Sequence, residues 1–194
     1  MRKRTIGFAL CGSFCTLARA AEQIEVLIGL GHAVIPIMSE CAYGTDTRFG
    51  AAQHWRELIG ALCCRPVAHT IAEVEAIGPA ALLDVLVVAP CTGNTLAKLA
   101  AGIADTSVTL ACKAHLRNNR PVVLAISTND ALSAAARNIG QLAARKHIYF
   151  VPFYQDAPGE KPNSAVARLE SLPECIEAAL EGQQMQPMLL GPGS

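Results

Sequence analysis

Short apolar runs alternate with amphipathic stretches along most of the chain. The apolar runs predict strands over residues 5–10, 33–38, 66–71, 82–89, 121–126 and 147–151. Between them, apolar residues recur at helical spacing and predict helices over residues 14–30, 51–59, 94–101, 107–116 and 131–144. The run from Val85 to Val88 is uninterrupted, as expected for a strand buried on both faces. This order predicts an α/β fold, a three-layer, doubly wound parallel sheet with right-handed crossovers.

The alternation of strands and helices ends near residue 152. We therefore predict that residues 1–152 form the α/β domain and that residues 153–190 form a loop and helical extension of the same domain. The last four residues, 191–194, read Gly-Pro-Gly-Ser and are interpreted as a cloning remnant. The chain is thus expected to be one domain, which agrees with its length of 194 residues.

The extension contains a predicted helix over residues 164–180, and Pro173 falls inside it. Proline is tolerated in the first turn of a helix but breaks hydrogen bonding further along. Either Ser171 caps a second, shorter helix with Pro173 in its first turn, or one longer helix kinks there. The sequence leaves both alternatives open.

The charge balance argues against two classes of partner. Sixteen Lys and Arg match sixteen Asp and Glu, so the chain lacks the basic excess of a nucleic-acid-binding protein. No apolar run reaches the ~20 residues that a membrane-spanning helix needs. Hydrophobic residues make up 52% and charged residues 16%, which predicts a folded chain that hides part of its surface in a homo-oligomer.

The cysteines and histidines show no metal-binding spacing. The eight cysteines form no Cys-x-x-Cys pair, and a domain of this size can fold without disulfides. We interpret them as reduced thiols in a cytoplasmic protein. The five histidines also lack the spacing of a structural zinc site, so no metal is expected.

The N-terminus has two interpretations. Basic residues 2–4, the apolar stretch 6–17 and the small residues near Ala20 imitate a secretory signal. However, Gly7, Gly12 and hydroxyl residues interrupt that stretch. We favour a first strand followed by a phosphate-binding loop, with secretion as the alternative.

Candidate ligand-binding residues follow three of the predicted strands. In open α/β sheets, ligands bind beyond the carboxyl ends of the strands, where helix N-termini offer free N–H groups. Glycine allows close approach of the backbone, and hydroxyl and amide groups bind phosphate oxygens. We predict one shared anion site built from Gly12, Ser13, Ser39, Pro90, Cys91, Thr92, Gly93, Asn94 and Thr95.

At the third of these loops the sequence resembles a known family. The segment 84–105, which includes Ala89-Pro-Cys-Thr-Gly-Asn-Thr95, resembles the flavoprotein family that includes the flavin-dependent cysteine decarboxylases. The Gly12-Ser13 and Ile37-Met-Ser39 segments match that family's other two flavin loops. The resemblance implies a Rossmann-like flavoprotein fold with FMN, or a phosphate in its place, held by these loops.

Residues 45–49, 117–130 and 161–164 carry a closer resemblance to the dipicolinate-forming branch of that family. This resemblance covers nearly the whole chain. It implies an oxidoreductase subunit in the mother-cell cytoplasm of a sporulating bacterium. With an NADP-binding A subunit, it would oxidise a dihydro- or hydroxytetrahydro-dipicolinate to dipicolinate. Two alternatives are a non-catalytic partner that stabilises or allosterically completes the A subunit, and a flavin-dependent decarboxylase.

The implied substrate carries two carboxylates, which must be paired in a partly dry pocket. Cations and neighbouring polar groups are therefore the expected substrate-binding residues, namely Arg48, Ser127, Thr128, Lys161 and Asn163. Asn129 and Asp130 are the candidate catalytic residues, since they can hydrogen-bond a ring or take up a proton. Asp130 has the alternative role of capping the predicted helix from Ala131.

The chain departs from the decarboxylase pattern at two places. The decarboxylases carry Pro-Ala-Met-Asn where this chain has residues 127–130, and only Asn129 is retained. Gly93 also stands where the commoner motif has a residue with a side chain. The first departure makes decarboxylation the less favoured alternative, and the second concerns the flavin loop, where a phosphate is the alternative to FMN.

Overall fold

The structure is a computed structural model that describes residues 2–191. Residues 192–194, most of the interpreted cloning remnant, lie outside the described residues. Within the described part, no helix is both long enough and apolar enough to cross a membrane.

Parallel strands form the centre of the sheet in the order β2-β1-β3-β4, and β5 pairs with the other side of β4. The strands are β1 (Thr5–Leu10), β2 (Ala33–Met38), β3 (Val85–Cys91), β4 (Val122–Thr128) and β5 (Ile148–Phe150). Every residue of β3 is buried. The predicted doubly wound α/β fold is confirmed, and its most continuous apolar run is a central strand.

Two short antiparallel strands extend the sheet beyond β4. They are β6 (Phe153–Tyr154) and β7 (Ala165–Ala167). Ser127 and Thr128, at the carboxyl end of β4, pair with Val166 and Ala165 of β7. The hairpin of residues 153–167 therefore lies beside the rim where ligands of such sheets bind.

Helices flank this sheet. On one side, α1 packs against β1, β2 and β3, and α8 packs against β3, β4 and β5. On the other, α6 crosses β2, β3 and β4 with α4 and α5 beside it. The helices are α1 (Leu17–Gly29), α2 (Glu40–Gly44), α3 (Ala52–Cys63), α4 (Ile71–Glu75), α5 (Gly93–Ala101), α6 (Ser107–Leu116), α7 (Ala136–Ala143) and α8 (Leu172–Leu180).

Two predicted elements were wrong. Residues 66–71 make a single bridge, between Ala68 and Ile37, rather than a strand. Thr70 and Glu73 instead form a capping box that starts α4. The first half of the predicted helix 164–180 contains β7 and then a 3-10 helix, Leu169–Ser171, because pairing with β4 overrides the local helical pattern.

The shorter-helix alternative describes the second half of that segment. α8 begins at Leu172 and carries Pro173 in its first turn. Ser171 occupies the N-cap position, but among the described residues its side chain makes no capping hydrogen bond. Similarly, the helix predicted from residue 131 begins only at Ala136.

Candidate functional site

The site region lies at the carboxyl ends of β1, β3 and β4. The chain order reverses between β1 and β3, since β2 lies on one side of β1 and β3 on the other. Directly after β1, the Cys11 N–H donates to the carbonyl of Pro90, near the end of β3, at 3.2 Å and so joins the two strand ends. Open α/β sheets bind ligands at such a reversal.

A cleft of about 400 Å³ opens at this rim. One wall comes from the loops after β1, β3 and β4, and the other comes from the β6–β7 hairpin. We call it the rim cleft; the residues that line it are Gly12, Ser13, Cys15, Thr16, Arg19, Thr92, Ser127, Thr128, Asn129, Tyr154, Asp156, Lys161, Ser164, Ala165 and Val166.

Three hydroxyl groups meet on the first wall. The Ser127 Oγ lies 2.8 Å from both the Ser13 Oγ and the Thr16 Oγ1, and these last two atoms are 3.4 Å apart. Ser13 and Thr16 stand at the starts of a short 3-10 helix and of α1, yet neither side chain caps a described helix. This hydroxyl cluster, Ser13, Thr16 and Ser127, can therefore turn its O–H groups toward an anion in the cleft.

The hairpin wall carries a chain of polar contacts. The Ser164 Oγ donates to Asp156 Oδ1 at 2.5 Å and lies 3.4 Å from Asn129 Oδ1. The other Asp156 oxygen is 3.5 Å from the Lys161 ammonium. These contacts tie the end of β4 to the hairpin.

Both cations of the cleft already have carboxylate partners. Arg19 pairs with Glu170 at 2.8 Å, and this contact lowers the pKa of Glu170. Partial burial raises the pKa of Asp156, but hydrogen bonding from Ser164 and the Lys161 ammonium outweigh that effect and lower it overall. Asp156 is thus ionised at neutral pH, and an incoming carboxylate competes with it for Lys161.

The loop after β3 uses its hydroxyls internally. The Thr92 Oγ1 accepts from the Thr95 N–H at 3.3 Å and caps α5. The buried Thr95 hydroxyl donates to the Cys11 sulfur at 3.2 Å. Among the predicted residues of this loop, Thr92 alone lines the rim cleft as described over residues 2–191.

Two buried thiols beside the site, Cys11 and Cys91, are protonated. Burial raises the pKa of Cys11 to about 11 and raises that of Cys91 well above its ordinary value. A thiolate is the nucleophilic form, so neither group acts as a nucleophile at neutral pH. All eight cysteines lie within the described residues and are free.

Several predicted residues lie elsewhere. Ser39 caps α2 by accepting from the Ala42 N–H at 3.2 Å. Arg48 is exposed and lies over the Phe49 ring. The exposed Asn94 lines a separate groove between α5 and α7. Within the described chain, the lining of the rim cleft also lacks Pro90, Cys91, Gly93, Thr95, Asp130 and Asn163.

Asp130 does not cap the helix predicted from Ala131. Its side chain accepts a short hydrogen bond from the Thr128 hydroxyl, and α7 starts at Ala136 with Ala135 as its N-cap. The intervening residues form a turn in which the Asp130 carbonyl accepts from the Ser133 and Ala135 N–H groups. The carboxylate instead lies against Gly93, at the start of α5.

The sequence prediction missed six polar or thiol residues of the cleft. Their positions depend on the β6–β7 hairpin and on the first turn of α1. The missed residues are Cys15, Thr16, Arg19, Tyr154, Asp156 and Ser164. Only Thr16 and Cys15 carried a signal, since they follow Gly12-Ser13 directly.

Comparison with known proteins identifies the family of the chain. The flavoprotein family model matches residues 1–181. The chain belongs to the flavoprotein family. It is 45% identical over 190 residues to the B subunit of dipicolinate synthase from Bacillus subtilis, covering 98% of this chain and 95% of that protein. This agrees with the resemblance seen in the sequence.

Solved structures show the same relationship. The crystal structure of the dipicolinate synthase B subunit from Bacillus halodurans superposes with a TM-score of 0.89 and is 46% identical, over 97% of this chain and 96% of that one. The FMN-dependent cysteine decarboxylase TvaF from thioviridamide biosynthesis is 26% identical with a TM-score of 0.59, over 74% of this chain and 86% of that one.

Proposed function

We propose that this flavoprotein is a B subunit of dipicolinate synthase, a cytoplasmic oxidoreductase subunit of the mother cell. With the nicotinamide-binding A subunit of that enzyme, which uses NADP, it would oxidise a dihydro- or hydroxytetrahydro-dipicolinate to dipicolinate. The observation that carries the proposal is the 45% identity to a named B subunit over 98% of the chain. That span includes the hairpin that forms one wall of the rim cleft.

The residues present fit the phosphate end of FMN. The hydroxyl cluster offers three O–H donors beside the backbone of Gly12 and the first turn of α1. A cleft of about 400 Å³ falls in the range of roughly 300–1,000 Å³ that small-molecule sites occupy. We infer that Ser13, Thr16 and Ser127 hold the phosphate and that Thr92 borders the rest of the cofactor.

A dihydro ring becomes aromatic by losing two electrons and two protons, and a hydroxytetrahydro ring must also lose one molecule of water. A bound flavin, or the nicotinamide on the A subunit, is the group that accepts these electrons. The residues of this chain bind and orient the ring. Lys161 pairs with one substrate carboxylate, and the Asn129 side-chain amide hydrogen-bonds a ring nitrogen or hydroxyl.

A ligand must compete with Asp156 for Lys161, and this competition makes the cleft selective for ligands that carry negative charge. Because Lys161 has a carboxylate partner, a neutral ring gains nothing at this position, whereas a carboxylate replaces one ionic contact with another. Arg19 and Glu170 form a second pair of the same kind. A dicarboxylate ring matches this arrangement better than a monoanion does.

We also expect a homo-oligomer. Ile103 is 47% exposed beside the α5–α7 groove, and Leu132 is 50% exposed on the adjoining turn. Apolar side chains at such levels favour burial in a subunit contact. Light scattering should give a particle of at least 40 kDa, twice the 20.4 kDa chain, and a 20.4 kDa particle would contradict this expectation.

The proposal is tested by reconstitution. This chain and the A subunit are purified separately and assayed each on its own and then together, while dipicolinate is followed by its ultraviolet absorbance. Activity should require both proteins, and FMN should make this chain yellow. Equal activity of the A subunit on its own would contradict the proposal. Full activity without any flavin, but only with both chains, would assign electron acceptance to the nicotinamide of the A subunit. The same activity with Lys161 and Asn129 both replaced by Ala would favour the non-catalytic partner, and release of CO₂ from a cysteine-terminated peptide would favour the decarboxylase.

A further inference from the structure

The start of α5 and the end of β4 fit together at one glycine. A Cβ built on Gly93 would lie 2.6 Å from Asp130 Oδ1 and 2.9 Å from Thr128 Oγ1. Side-chain Cβ atoms do not approach other atoms this closely, so any larger residue at position 93 must displace these two groups. The Asp130 carboxylate therefore occupies the space that a side chain at position 93 would need.

Other contacts hold the carboxylate in that place. The Thr128 hydroxyl donates to Asp130 Oδ1, and the backbone carbonyl of Asp130 accepts from Ser133 and Ala135. The carboxylate also lies at the N-terminal end of α5, where the helix dipole favours negative charge. Steric fit, hydrogen bonding and electrostatics thus agree.

This contact reaches the ligand site through Thr128. Thr128 and Asn129 line the rim cleft, whereas Gly93 and Asp130 lie outside its described lining. The position of the Asp130 carboxylate fixes the Thr128 hydroxyl, and the short segment between them carries Asn129. A shift of Asp130 therefore moves the polar groups that face a bound ring.

We propose that Gly93 and Asp130 are positioning residues, which together latch the substrate-facing end of β4 onto the start of α5. The expected effect of the latch on turnover rests on the proposed function, whereas its steric basis is independent of that function. Asp130 in this account takes no proton from the substrate. Gly93 serves to admit a carboxylate from its own chain rather than a ligand.

The test combines one substitution at Gly93 with two at Asp130. Gly93→Ala is made in the wild type, in Asp130→Ala and in Asp130→Asn. Asp130→Ala removes the nearer of the two groups that the new methyl would strike, and it leaves the Thr128 hydroxyl, no longer bonded to the carboxylate, able to turn away. Asp130→Asn keeps the bulk of the side chain and loses its charge. Gly140→Ala is the matched control: in the middle of α7, the added methyl meets no described atom within 4 Å apart from its chain neighbours and the backbone of its own helix, so it should change nothing in the site.

Steady-state kinetics of the two-subunit enzyme should show the steric pattern. Gly93→Ala is expected to raise the KM for the ring dicarboxylate tenfold or more, with kcat changed less than threefold. The same change should persist in Asp130→Asn and shrink below threefold in Asp130→Ala. An equal rise in KM in all three backgrounds would overturn the latch, because Gly93 would then act through its own backbone or by letting a ligand approach closely.

Hydrogen exchange separates failure of the latch from failure of the proposed function. If the wild-type pair forms no dipicolinate, the proposed function is wrong, and the latch is judged on exchange of residues 127–135 in the ligand-free chain. Gly93→Ala should speed that exchange in the wild type and in Asp130→Asn, but not in Asp130→Ala. Unchanged exchange in the wild-type background would contradict the latch.

Discussion

Two groups of hydroxyl residues stand at the same edge of the sheet and are used in opposite ways. In the hydroxyl cluster, Ser13, Thr16 and Ser127 bond to one another on the wall of the rim cleft. After β3, Thr92 caps α5 and Thr95 donates to buried Cys11. A hydroxyl that already hydrogen-bonds to its own helix or to a buried neighbour has fewer hydrogen-bonding positions left for a ligand. The difference explains why residue type and strand-end position alone do not identify a binding residue.

The largest effect should come from removing two hydroxyls of the cluster. Ser13→Ala combined with Ser127→Ala should raise the Kd for FMN about 100-fold or more, since each hydrogen bond to a charged group contributes roughly 1.5–3 kcal/mol. Quenching of FMN fluorescence on binding measures this. Thr95→Val is the control and should change the Kd less than about threefold. A similar rise in the Kd for FMN in the double variant and in Thr95→Val would show that the two groups of hydroxyls do not differ in ligand binding.

A smaller effect is expected at the end of β4. Asn129→Ala should lower dipicolinate formation by the two-subunit enzyme about tenfold or more, equivalent to roughly 1.4 kcal/mol of transition-state stabilisation. Folding and association with the A subunit should be unaffected, because Asn129 is exposed in the cleft. Unchanged turnover would show that this segment is not part of the active site.

Thr95, in the loop after β3, should affect stability rather than ligand binding. Thr95→Val should lower the free energy of unfolding by about 1 kcal/mol, because it removes a buried donor and leaves Cys11 and Thr92 without that partner. Urea denaturation provides the measurement. Ser13→Ala, made alone, should cost under about 0.5 kcal/mol. A greater loss of stability at Ser13 than at Thr95 would reverse the assignment of the two groups.

The smallest effect concerns competition for Lys161. Asp156→Asn keeps the acceptor oxygen for Ser164 but removes the charge, so the KM for the dicarboxylate should fall about two- to fivefold, as expected for a partly exposed ion pair. The pKa of Asp156 is lowered, so its carboxylate stays ionised near neutral pH and the KM of the wild-type enzyme should not fall there. Lys161→Met should raise the same KM. A rise in KM for both variants would show that Asp156 supports binding.

The fold was predictable where burial is continuous along the chain. β1 and β2 were predicted with their observed bounds because their apolar runs end at Gly or Ser. β6 and β7 were not predicted, because strands of two and three residues exist only through pairing, here of β7 with β4 and of β6 with β7. The capping box at Thr70 and Glu73, in contrast, was a readable signal for α4.

The residues of the rim cleft were predictable mainly on one wall, and on the hairpin wall only Lys161 was predicted among the described residues of the lining. The rule that ligands bind at carboxyl ends of strands led to Gly12, Ser13 and the segment 127–129, which line the rim cleft. It could not separate Thr92 from Thr95, since the direction of each hydroxyl depends on helix capping and on Cys11. Asp156 and Ser164 were missed because a hairpin brings them to the cleft from a segment with no local strand pattern.

Hydrogen–deuterium exchange with and without saturating FMN tests the central claim most directly. If the rim cleft and its hydroxyl cluster form the cofactor site, FMN should slow exchange in segments 12–19 and 125–130. The α4–α6 groove around Gly78, Ala114 and Asn118 should be unchanged. Protection confined to that groove, or no protection at segments 12–19 and 125–130 under saturating FMN, would contradict the account.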